Sequence, residues 1–112
     1  MLLSIGRKRY EPVSERDSIH NYYEQMVIDQ ILRSNDRANT DTDFLADVAC
    51  VALNRLPPRY VRHDVDMTFF LTPDEMETMI ERVVLAVNDA AAYVLSREQS
   101  QQAQGQNSQS TQ

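Results

Sequence analysis

Glycine is nearly missing from this chain. Its two glycines, Gly6 and Gly105, both fall outside the stretch with regular apolar spacing. A glycine-rich loop that cradles phosphate needs backbone to approach the ligand closely, so that class of nucleotide enzyme is excluded. Cys50 is the single cysteine. No internal disulfide can form, which fits a reducing compartment, and a zinc site built on paired cysteines has no donors. His20 and His63 are the only histidines and stand far apart in sequence. No apolar run approaches the roughly 20 residues of a membrane span. The opening "MLLSIGRKRYEP" places its few apolar residues ahead of its charges, the wrong order for a secretory signal. A soluble cytoplasmic protein with no membrane insertion is the expectation.

Basic residues are also scarce. The 112 residues carry a formal charge of −6, with a sequence pI of about 4.7. Binding to DNA or RNA needs many phosphate contacts, so no nucleic-acid partner is expected. A small anionic ligand is compatible, because a local basic patch can sit on an acidic protein. Lysine occurs once, at Lys8, and the other ten basic residues are arginines. Arginine offers a planar fork that matches phosphate or a guanine edge.

What is present reads as one mainly α domain of three main helices, with a short extended segment between the second and third. Residues 1–17 form a basic arm without helical or strand period, taken as flexible. The first helix is expected from Asp17 or Ser18 to Ser34. Ile19, Tyr23, Met26, Val27 and Ile31 form its apolar stripe. "SNDRANTDTD" is a loop by composition. The second helix covers 42–55, capped from Thr40–Asp43, with Phe44, Val48 and Val51 along one face and Cys50 read as a buried small hydrophobe. Pro57 stops it, because proline disfavours α conformation in the residue before it.

"RYVRHDVDMTFFL" reads as extended or irregular, with strand-like pieces at Tyr60–Val61 and Met67–Leu71. "LTPDEMET" is the clearest local signal: Thr72 as cap, Pro73 as first helical residue, Glu75 closing a capping box. The third helix then runs to about Ser96 on a stripe through Met76, Met79, Ile80, Val83, Val84, Val87, Ala91 and Val94. Leu85, Ala86, Tyr93 and Leu95 lie off the stripe, and this second apolar face could meet another subunit. The folded domain thus spans residues 18–96. Residues 97–112, rich in Gln and Ser, have little to bury and are expected to be disordered.

Catalysis is not expected, since no nucleophile sits beside a recognisable base. The cluster with chemistry is "ALNRLPPRYVRH". Arg55, Arg59 and Arg62 surround a rigid double proline beside Tyr60. Arginine forks could take phosphates or the O6/N7 edge of guanine, and the ring could stack on a base. The cluster follows a helix C-terminus, where the dipole repels anions, so the side chains must supply all the attraction. The same residues also read as a helix stop with solvated charges.

Resemblance adds a further reading. "DVACVALNRLPPRYV", with Asp47, Asn54, Leu56-Pro57-Pro58 and Tyr60, looks like the signature of the late competence protein ComFB family, and "IHNYYEQMVIDQIL" resembles that family's first helix. The resemblance covers about residues 19–95. It implies a small helical homodimer without catalytic role, acting as a receptor for cyclic dinucleotides, mainly cyclic di-GMP and in some members cyclic di-AMP. Such proteins are tied to competence, motility and pili, or cell size, through a regulatory protein partner. The implied contacts are Asn54, Arg55, Pro57, Pro58 and Tyr60, with Asp47 on the same helix. Arg59 and Arg62 join them on charge alone. Some members carry a cysteine pair ahead of the aspartate matching Asp47. Here that stretch is "NTDTDFLA", so no zinc and no other cofactor is expected. The alternative is a protein–protein adaptor of the same system with no small ligand.

Overall fold

The structure is a computed structural model that describes residues 18–110. The basic arm at 1–17 lies outside the described residues. Strand β1 (His20–Asn21) leads into helix α1 (Tyr23–Ser34), a 3-10 turn (Asp36–Asn39) and helix α2 (Thr42–Asn54). Strand β2 (Tyr60–Val61), helix α3 (Asp64–Phe70) and the long helix α4 (Pro73–Ser110) follow. The mainly α expectation holds. The only sheet among the described residues is the antiparallel pair β1–β2, with His20 opposite Val61 and Asn21 opposite Tyr60.

The core is a three-helix layer in which α4 packs on both α1 and α2. Tyr23, Val27 and Ile31 of α1 repeat every fourth residue, as do Phe44, Val48 and Ala52 of α2, and all six are buried. Met79, Val83, Ala86, Val87, Ala90, Ala91 and Val94 form the facing stripe on α4. Its alanines let the helix axes approach closely. The turn between α1 and α2 is pinned to α4 by Arg37, whose guanidinium donates to both Glu98 carboxylate oxygens at 2.8 Å.

Several boundaries differ from the sequence expectation. The first helix starts at Tyr23, not Asp17 or Ser18, because His20 and Asn21 give their backbone to the pair with β2. Ile19 therefore falls outside the apolar stripe and is exposed. Met67–Leu71 is not strand-like. A fourth helix, α3, covers Asp64–Phe70, with Asp64 and Asp66 in its first turn where the helix dipole favours carboxylates. Met67 is its buried anchor.

The last helix does not stop near Ser96 but continues to Ser110. Gln and Ala are good helix formers, no proline intervenes, and extending an existing helix costs far less than nucleating one. Ala86 is buried although it was placed off the stripe, and Ile80 is about half exposed although it was placed on it. Cys50 is exposed, not buried. At 100° per residue it stands 200° around α2 from both Val48 and Ala52, which face the core.

The capping box is present in both directions. Glu75 N–H donates to Thr72 Oγ1 at 3.1 Å, and Thr72 N–H to Glu75 Oε1 at 2.9 Å. At α2 the cap is Asp41, whose Oδ1 accepts Phe44 N–H at 3.0 Å.

Candidate ligand-binding loop

The end of α2 is fixed by geometry on both sides of the double proline. Arg55 N–H still donates to Ala52 O at 3.0 Å, closing the last helical turn. Leu56 then turns inward and is buried. Pro57 and Pro58 are exposed and lack N–H groups, so no donor is stranded there. Arg59 re-anchors the chain. Its N–H donates to Asn21 Oδ1 at 3.0 Å, and its carbonyl accepts Tyr22 N–H at 2.7 Å.

Asn21 is the buried polar residue among the described residues, with 8% of its surface exposed. Its Oδ1 also accepts Tyr23 N–H, at 3.2 Å, and so caps α1. One amide oxygen thus ties the start of α1 to the end of the proline loop.

The arginines project around this fixed turn. Arg55 lies over the Tyr93 ring at 5.6 Å from its centroid, and Arg97 approaches the same ring at 5.9 Å. Arg55, Leu56 and Pro57 line an open depression of about 330 Å³ with Arg82, Leu85 and Asp89 of α4. Arg59 lines a neighbouring depression of about 310 Å³ with Tyr23, Asp74, Glu75 and, again, Arg82. Arg82 is therefore the side chain common to both hollows. Bonds from the Thr72 backbone and hydroxyl, and then the charge of Arg59, hold the Glu75 carboxyl below its usual range.

Not every expected residue joins this arrangement. Tyr60 is 67% exposed and open to stacking. Arg62 is exposed just beyond β2 and lines neither hollow. Asn54 donates its amide to Cys50 O at 2.9 Å, so that donor serves the helix end. Asp47 lies in a separate groove between α2 and α4, with Cys50, Tyr93 and Arg97. The ring of Tyr93 is what connects that groove to Arg55.

Arg82 and Tyr93 were missed in the sequence. Both sit on α4 outside the apolar stripe, and only the packing of α4 beside the loop brings them there. Among the described residues, no group of three or more His, Cys, Asp or Glu is placed to hold a metal ion. None of the described helices is long and apolar enough to cross a membrane.

Beyond the loop, His20 is held at both ring nitrogens, with Nδ1 donating to a backbone carbonyl. Nδ1 meets Ser18 O at 2.9 Å and Nε2 meets Asp64 Oδ1 at 2.6 Å. The Ser18 carbonyl first, and Asp64 second, raise its pKa above the ordinary 6.5. This contact ties α3 to β1.

Fold and site together define a small α-helical domain that carries a proline-fixed, arginine-flanked loop. The chain belongs to the late competence development protein ComFB family, whose model matches residues 20–98. Membership gives it a competence-related role. No curated protein and no solved structure matches it.

Proposed function

We propose that this protein is a non-catalytic receptor for a cyclic dinucleotide, cyclic di-GMP first, with the Leu56–Tyr60 loop as its binding surface. The observation that carries the reading is Arg82, which lines both hollows flanking the double proline. Arg55, Arg82 and Arg59 present three guanidinium groups around one rigid turn. A cyclic dinucleotide carries two phosphates, and arginine forks suit them. Tyr60 offers an exposed ring for a base. Because both ends of the loop are anchored, little ordering entropy is left to lose on binding. Asp74, Glu75 and Asp89 share the hollows, so the attraction of the arginines for an anion must outweigh the repulsion of these acids.

The receptor acts as a homodimer in the cytoplasm and reports to a protein partner in competence, motility, pili or biofilm control. Leu85, Tyr93 and Leu95, exposed along α4, suit a second copy. A ligand that favours one arrangement of that face shifts the population toward it. Calorimetric titration of Arg55→Ala and Arg82→Ala tests the site. Each variant should stay folded and bind cyclic di-GMP at least tenfold more weakly. Unchanged affinity in both would remove the loop from the model.

A second reading has its own observation. Phe69 and Phe70 are 78% and 79% exposed at the end of α3, beside the loop's exit strand. Adjacent exposed phenylalanines favour an adaptor that docks a protein without any small ligand. Loss of partner capture on Phe69→Ser with no nucleotide response in any variant would favour it.

A further inference from the structure

A further concave surface lies away from the proline loop. It is an open groove of about 650 Å³ between the outer face of α1 and the start of α3. Met26, Ile28 and Val65 give it an apolar part, and Val65 is 56% exposed. Besides His20, its charged residues are acidic: Glu24, Asp29 and Asp64, with no arginine or lysine among the lining residues. Asp29 accepts from Gln25 and Asp64 pairs with His20, so carboxylate oxygens on both walls remain to accept further donors. The groove is built for a segment that is apolar and strongly basic at once.

Such a segment occurs in this chain. Residues 1–17 contain Leu2, Leu3 and Ile5, followed directly by Arg7-Lys8-Arg9. The described residues begin at Ser18, two positions before His20, which itself lines the groove. We propose that this groove receives the chain's own Arg7-Lys8-Arg9 triplet.

Reach is sufficient. The nine residues from Arg9 to Ser18 span up to about 30 Å when extended. From Tyr23 to Asp29 α1 advances only about 9 Å, and the three steps from His20 to Tyr23 add at most about 10 Å. Tethering also sets the affinity scale. A short linker holds its end at an effective concentration in the millimolar range, so a weak intrinsic contact is enough. Solvent-exposed charge pairs of this kind are screened by salt, which gives the contact a signature.

The test is a comparison of amide NMR spectra of the full chain and of a full-chain R7E/K8E/R9E variant. Perturbations should concentrate at Tyr22–Asp29 and Asp64–Val65. About 0.5 M salt should reproduce them in the unmodified chain. Dilution should leave them unchanged, because the contact is within one molecule. Reversing the groove with E24R/D29R in the triple variant should restore salt-sensitive shifts. Unperturbed groove amides in the triple variant would overturn the proposal and leave the groove to another protein's basic segment. Perturbations that vanish on dilution would equally overturn it, in favour of the segment of a second copy. The outcome is independent of nucleotide binding at the proline loop.

Discussion

Asn21 Oδ1 lies 3.0 Å from Arg59 N and 3.2 Å from Tyr23 N, joining residues 38 positions apart through one buried atom. That contact decides where the proline loop points. The prolines stiffen Leu56–Arg59, but stiffness alone gives no address. The address comes from a side chain near the start of the first helix.

Removing this atom should therefore cost both stability and binding. Asn21→Ala leaves two N–H groups without their acceptor, each worth about 1–3 kcal/mol where buried. Urea denaturation should show a loss of about 2 kcal/mol. Affinity for cyclic di-GMP should fall in parallel under conditions where the variant is still folded. Unchanged stability would mean that the loop is held by Leu56 and the β1–β2 pair without it.

The His20–Asp64 contact gives a pH dependence of known sign. Because the folded state raises the His20 pKa above 6.5, its stabilisation is complete below pH 6.5. It is lost as pH rises through the folded value. Amide exchange in α3, corrected for intrinsic rates, should report weaker protection at pH 8 than at pH 6. Asp64→Asn should flatten that difference.

The α4 start behaves oppositely. The Glu75 carboxyl is held below its ordinary 4.5 by the Thr72 bonds, so its contribution is present above pH 4.5 and lost on acidification. Thr72→Ala should cost about 1 kcal/mol at neutral pH in thermal or urea unfolding. A variant indistinguishable from the parent would mean that Pro73 and the packing of α4 suffice.

Core packing gives the largest expected effect. Ile31 is fully buried between the helices, and Ile31→Ala should cost about 2–5 kcal/mol. Ile31→Val should cost about 1 kcal/mol. Similar losses for the two variants in urea would indicate that the site collapses around the gap.

These features differ in how legible they were. Thr72, Pro73 and Glu75 carry their structure within four residues, so the cap could be read directly. Tyr60–Val61 was readable as a strand, but its partner was not. Ile19, four positions before Tyr23, continues the apolar spacing of α1, and only the pairing of His20–Asn21 across the fold removes that stretch from the helix. Asp64–Phe70 mixes β-branched and aromatic residues that favour strand with two aspartates that favour a helix start, and the docking of Met67 settles the contest. Cys50 was misplaced because small apolar residues on α2 occur on both faces. At the candidate site, Arg55, Pro57, Pro58, Arg59 and Tyr60 were legible as one short segment. Arg82 and Tyr93 were not, since their place depends on the register of α4 against α2. Asp47 lies on α2, which ends just before Arg55, but opens into a different groove.

The central claim is most directly tested by isothermal titration calorimetry of the folded protein with cyclic di-GMP, with cyclic di-AMP and GTP as controls. Saturable binding selective for cyclic di-GMP is expected in the micromolar range or tighter, about −8 kcal/mol or better. No heat with any of the three from a folded sample would contradict it, leaving the proline loop as scaffold and the exposed Phe69–Phe70 pair as the surface to pursue.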